Sequence, residues 1–238
     1  MAKKEEEKFD RVMELESRKL AKEKDREFVI ETQKKVEKNN DLIAVKINQN
    51  LKENNVKSYD FVGAIGAGKT ALIERISEKI GPEKRILVIC GDVATRVDAD
   101  RIQKAYVKAI QINTGRECAL NAYHIDKVLK NINISDYDFI FVENVGNLIC
   151  PSEFILGMDK RITVVSVTEG EWVVEKHPLL FKMSDIAVIN KIDLAERLET
   201  DVEKMVEDAK NINPNAKIIL TSARTDEGVD ELLEALES

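Results

Sequence analysis

Gly63-Ala64-Ile65-Gly66-Ala67-Gly68-Lys69-Thr70 fits the spacing G-x-x-x-x-G-K-[ST], whose chemistry is the cradling of phosphate groups. Glycines let the backbone wrap so that consecutive N–H groups, together with the start of a following helix at Ala71, face phosphate oxygens. Lys69 is expected to reach the β- and γ-phosphates of a nucleoside triphosphate, and the Thr70 hydroxyl to bind Mg²⁺. The context agrees: the apolar run YDFV precedes the motif and the amphipathic run TALIERISEKI follows it.

Such a site needs an acidic residue at the end of a later strand to hold the magnesium, directly or through water. Glu143, closing FIFVE, is the candidate. Three residues on, Gly146 offers a backbone N–H that can sense the γ-phosphate and release its segment when that phosphate is lost. The run RILVIC leads into Gly91-Asp92-Val93-Ala94-Thr95-Arg96-Val97-Asp98. Asp92 and Asp98 there can orient the attacking water or hold Mg²⁺ through water. Asp98 can equally cap a helix before Ala99-Asp100-Arg101.

Asn190-Lys191-Ile192-Asp193 follows the apolar run Ile186–Ile189, at the carboxyl end of a strand, where open α/β sheets bind nucleotides. The Asp193 carboxylate can accept from both the ring N–H and the exocyclic amine of guanine. Adenine presents an acceptor nitrogen instead and would leave it unpaired. Ser222 and Ala223, in Thr221-Ser222-Ala223 after the run AKIIL, supply the loop expected to meet the guanine oxygen through backbone N–H.

The elements that must position these residues are β-rich runs alternating with helical periods from Ser58 onward: YDFV, RILVIC, YDFIFVE, RITVVSVT, IAVIN and AKIILT, with QIN at 111–113 as a short edge strand. This alternation implies an α/β fold, a P-loop NTPase with a mainly parallel sheet flanked by helices. Residues 1–57 hold no Gly or Pro and read as a charged helical arm, with residues 58–238 as the nucleotide domain. Asn39-Asn40-Asp41 is expected to interrupt the arm, with Asp41 capping a second helix that runs to about Glu53.

The arm carries 15 basic and 13 acidic residues and the remainder 22 and 31, for a net charge of −7. That balance offers no long-range attraction to nucleic acid or an anionic membrane. No run approaches the roughly 18 apolar residues of a membrane span, and MAKKEEEKFD lacks the apolar core of a secretory signal, so a cytoplasmic protein is expected. Cys90, Cys118 and Cys150 are too few and too scattered for a disulfide framework.

The segments GAIGAGKT, GDVATRVDADRI, TGREC, ENVGNLICP, VTEG, EKHP, NKIDL and NPNAK together resemble the hydrogenase nickel-incorporation GTPases, the HypB family, over about residues 60–225. The urease accessory GTPase UreG shares the architecture. The resemblance implies a GTP-dependent homodimer that hydrolyses GTP while helping to deliver Ni²⁺ to the large subunit of a [NiFe] hydrogenase, alongside a zinc-containing, HypA-like nickel metallochaperone. The alternatives are a GTP-gated dimeric scaffold, or a GTPase serving urease or another metalloenzyme.

The resemblance also implies Ni²⁺ or Zn²⁺ binding at the dimer interface, with Cys118 of TGREC and Cys150 of NLIC at the matching positions. Thiolates suit both metals. The family usually places His after the first of these cysteines, where this chain has Ala119. His124 replaces that ligand only if the loop bends. Cys118 and Cys150 can otherwise be small buried residues, and Cys90, on an apolar strand, reads as core. The amino terminus lacks the cysteine- or histidine-rich nickel motif of some members.

Overall fold

The computed structural model describes residues 38–92, 107–114, 119–149 and 154–237. The chain divides into two units, Met1–Asn39 and Asn40–Ser238. Among its described residues the second unit holds seven parallel strands: β1 (Lys57–Val62), β2 (Ile86–Asp92), β3 (Lys108–Asn113), β4 (Phe139–Glu143), β5 (Lys160–Ser166), β6 (Ile186–Asn190) and β7 (Lys217–Thr221). Their order across the sheet is β3-β2-β4-β1-β5-β6-β7. The expected edge strand at 111–113 is the end of β3, which pairs with β2 from Lys108 to Asn113.

A helix α1 runs through residues 38–53, followed by α2 (Lys69–Ile80), α3 (Ala122–Leu129), α4 (Val173–Lys176), α5 (Pro178–Lys182), α6 (Ala195–Leu198), α7 (Val202–Ile212) and α8 (Val229–Glu237). The expected break at Asn39-Asn40-Asp41 does not occur. Asn40 is buried, and its carboxamide donates to Ile155 O at 2.9 Å and accepts from Ala122 N at 2.8 Å. Its polar group is satisfied by tertiary partners instead of by a local cap. Of the arm expected over 1–57, residues 1–37 lie outside the described residues.

Strands buried on both faces read as apolar runs, because successive side chains serve opposite layers. Tyr59, Phe61, Phe141, Val88, Val164 and Val188 point to one layer, where they meet Leu72, Ile73 and Ile76 of α2 and Leu232 of α8. Leu87, Ile89, Ile140 and Val142 point the other way, to Ala44, Ile47 and Leu51 of α1 and Ile125 of α3. Val165, Ala187 and Ile189 meet Val174, Phe181 and Met205 of α4, α5 and α7. Phe61 and Phe141 are fully buried and pack edge to face, with centroids 5.8 Å apart. Burying each ring contributes about 1.5–3 kcal/mol.

Because every pairing is parallel, the carboxyl ends of all seven strands share one edge of the sheet. Each site motif singled out above and carried by a strand end therefore opens onto that edge.

Candidate nucleotide site

β1 runs directly into Gly63, and the loop closes on Gly68, the N-cap of α2. Gly68 has φ 102°, and a Cβ there would stand 2.2 Å from Asn190 Nδ2. Only glycine allows this conformation and this approach together. With no capping side chain at Gly68 and no acidic residue in the first turn of α2, the helix N-terminus is left to an anion.

Lys69 is nearly buried and donates to Gly63 O at 3.1 Å and Ala64 O at 3.0 Å. Its ammonium group is thus folded back over the loop that it would share with phosphate. The Thr70 hydroxyl donates to Glu143 Oε1 at 2.6 Å, both side chains being buried. A hydroxyl and a carboxylate side by side, beneath a loop of backbone N–H groups, are the hard oxygen donors that suit Mg²⁺, which takes one or two protein oxygens and completes its shell with phosphate oxygens and water.

The segment after β4 is laced to the phosphate loop. Asn147 N donates to Gly63 O at 3.0 Å, and the two residues form an isolated antiparallel bridge. A Cβ on Gly146 would stand 2.3 Å from Ile65 Cγ1, so only glycine fits beside the loop at this point. Asp92 ends β2, in register with Asn113. Asp98 lies outside the described residues.

Gly68, Ala71, Arg75, Asn190, Asp193 and Ser222 are among the residues that line a cavity of about 680 Å³ beside the loop. The Asn190 carboxamide is its hub. It donates to Ala67 O at 2.9 Å and accepts from Thr221 Oγ1 at 3.0 Å and Ala223 N at 3.3 Å. Ser222 Oγ donates to Asp193 Oδ1 at 2.7 Å, which fixes that carboxylate's orientation. Lys191 has φ 63°, and its ammonium donates to Gly66 O at 2.6 Å, laying the side chain along the phosphate loop. The two sequence motifs, 120 residues apart, thus form one wall.

Several contributors were not read from the sequence. Arg75 Nε donates to Ala223 O at 3.0 Å, bracing the loop after β7. Its signal was present, since Ala71, Arg75 and Glu78 fall at helical spacing on one face of α2. Glu169 follows β5 and accepts from Ser166 N at 2.9 Å in a capping box. Burial pushes its carboxyl above the usual range, against the opposing pull of that N–H bond and of the charges on Lys191 and Lys69.

The metal expectations fall mostly elsewhere. Cys118 and Cys150 lie outside the described residues, and among the described residues no group of three or more His, Cys, Asp or Glu comes together to hold a metal ion. His124 serves the N-terminus of α3: its Nδ1 accepts from Asn121 N at 3.3 Å, and its own N–H donates to Asn121 Oδ1 at 3.2 Å. Cys90 is buried in the core, as expected. Among the described residues no helix is long and apolar enough to cross a membrane.

A family model described as the CobW/HypB/UreG nucleotide-binding domain matches residues 58–220. The probable hydrogenase maturation factor HypB of Methanocaldococcus jannaschii is 45% identical over 209 residues, covering 88% of this chain and 95% of that protein. The HypB of Azotobacter chroococcum is 39% identical over 178 residues, 75% of this chain but only 58% of that longer protein. Among solved structures, HypB from Archaeoglobus fulgidus superposes with a TM-score of 0.79 at 47% identity, covering 84% of this chain and 97% of that one. HypB from Helicobacter pylori in complex with nickel gives 0.78 at 32% identity, covering 84% and 94%. The chain therefore belongs to the CobW/HypB/UreG nucleotide-binding family, and within it to the HypB hydrogenase maturation factors.

Proposed function

We propose that this chain binds and hydrolyses GTP, and that the cycle gates delivery of Ni²⁺ to the large subunit of a [NiFe] hydrogenase. The observation that carries the guanine reading is the Asn190 junction, with Asp193 held by Ser222 in the cavity beside the phosphate loop. A fixed carboxylate selects guanine because adenine would leave it desolvated and unpaired.

In hydrolysis water attacks the γ-phosphorus, the bond to the β–γ bridging oxygen breaks, and GDP and inorganic phosphate leave. Gly63–Ala71 cradle the phosphates, and Lys69 turns from its two carbonyls to the β- and γ-oxygens. Thr70 and Glu143 would hold Mg²⁺, which when bound would offset phosphate charge. Asp92 and Asp98 would orient the water, and Asp92 would also support Mg²⁺ through water. The Gly146 N–H reports the γ-phosphate.

Nickel is cargo. Its proposed ligands are Cys118 and Cys150, with His124 as a third only if it gives up its capping role on α3. The nickel-bound Helicobacter pylori relative supports this reading, as does the position of Cys150 four residues beyond Gly146. A GTP-dependent homodimer would double a small ligand set by symmetry, and a HypA-like zinc-containing metallochaperone is the proposed donor partner.

The test is equilibrium titration of Ni²⁺ and Zn²⁺ into wild type and a Cys118→Ala/Cys150→Ala variant, each with GDP and with a non-hydrolysable GTP analogue. Tighter wild-type binding in one nucleotide state, lost in the variant, is expected. Equal affinity in all four samples overturns the metal gate.

A further inference from the structure

Beneath the nucleotide edge lies a buried polar chain that neither phosphate nor base contact requires. Asn144 directly follows Glu143, and its side chain is buried. Its Oδ1 accepts from Leu120 N at 2.9 Å and from Val145 N at 3.0 Å, while its Nδ2 donates to Asp60 Oδ1 at 3.2 Å. Asp60 alternates with Tyr59 and Phe61 on β1 and so faces the layer opposite to theirs. Its other oxygen accepts from Arg161 Nε at 3.1 Å and Nη2 at 3.0 Å, and Nη2 also donates to Phe154 O at 2.6 Å.

All three side chains are more than nine-tenths buried. Burial pushes the Asp60 carboxyl up, and Arg161 and Asn144 pull against it. A buried ion pair of this kind is weak evidence for stability, since apolar residues of similar volume often serve as well. What it supplies is connection. It runs from the backbone leading to Gly146 to two remote main-chain groups: the N–H of Leu120, two residues after Cys118, and the carbonyl of Phe154, four residues after Cys150.

We propose that Asn144 is a positioning residue that couples the nucleotide-sensing segment at Gly146 to the chain at Leu120 and, through Asp60 and Arg161, at Phe154. The inference rests on the reading of Gly146 as the γ-phosphate sensor. When the Gly146 backbone moves, Val145 N and the Asn144 side chain move with it. A buried carboxamide cannot abandon Leu120 N without leaving a desolvated N–H behind, so the displacement is passed on instead of being absorbed locally.

The experiment is amide hydrogen exchange on the full chain with GDP and with a non-hydrolysable GTP analogue, comparing wild type, Asn144→Ala and Asn144→Ser. Serine keeps a hydroxyl for Val145 N but is too short to span to Asp60, so it stays informative if the alanine variant folds poorly. In wild type, peptides covering Gly146, Leu120 and Phe154 should each exchange differently in the two nucleotide states. In the folded variants the Gly146 peptide should keep its difference, and the Leu120 and Phe154 peptides should lose theirs. Persistence of all three differences in either folded variant overturns the coupling while leaving the sensor intact. No difference at Gly146 in wild type overturns the sensor reading and the coupling with it.

Discussion

Replacing Asn190 by alanine probes the junction on which the nucleotide site depends. Its side chain is 1% exposed and makes three hydrogen bonds, to Ala67 O, from Thr221 Oγ1 and from Ala223 N. Truncation leaves a carbonyl, a hydroxyl and an N–H buried without that partner, each costing about 1–3 kcal/mol when wholly desolvated. The opened cavity beside Gly68 admits water and lessens the loss, so the expected destabilisation is about 2–4 kcal/mol. Urea denaturation reads this as a lower midpoint at unchanged slope.

The same change frees Ala67 from the base loop. GTP affinity, measured by calorimetry, should therefore fall about tenfold or more, or about 1.4 kcal/mol, because ordering once built into the fold must occur on binding. A cycle with Thr221→Val should show a coupling of about 0.5–3 kcal/mol, since both changes touch one network. Destabilisation below about 0.5 kcal/mol, typical of an unimportant surface change, with unchanged affinity would refute the junction as the organising contact.

Two further outcomes follow from named contacts. Glu143→Gln keeps the shape beside Thr70 but removes the charge, so nucleotide binding without magnesium should persist while magnesium-dependent phosphate release falls by about 10²-fold or more; a normal rate would remove Glu143 from the magnesium site. Asp138 accepts from Arg85 N, Nε and Nη2, chiefly through the side-chain bonds, and its carboxyl is lowered from 3.8 to about 2. Because the folded value lies below the unfolded one, the stability that the pair supplies is present above pH 3.8 and lost as pH falls through about 2. Asp138→Asn should flatten the pH dependence of unfolding in that window, and a curve identical to wild type would contradict the assignment.

The sheet was legible because its strands are rich in apolar residues, as burial on both faces demands, even though β1 carries Asp60, β3 Gln111 and β5 Arg161. The phosphate-loop motif and the Asn190–Asp193 segment could be picked out because each follows an apolar run, and the structure sets both at strand ends and joins them through Asn190. What the sequence hid is tertiary. Asn40 looked like a helix breaker because nothing local shows that Ile155 O and Ala122 N will satisfy it. Asp60 and Arg161, 101 residues apart, sit in the strand runs YDFV and RITVVSVT with nothing local to link them, and become a buried pair only when β1 and β5 adjoin. His124 invited a ligand role, although three residues of spacing from Asn121 make a capping box.

Guanine selection by Asp193 is tested most directly by competition between GTP and xanthosine triphosphate for wild type and Asp193→Asn. Wild type should prefer GTP. The variant should reverse toward xanthosine triphosphate, because an amide can donate to the exocyclic oxygen that replaces guanine's amine. A GTP preference left unchanged by the substitution would contradict base recognition at this carboxylate.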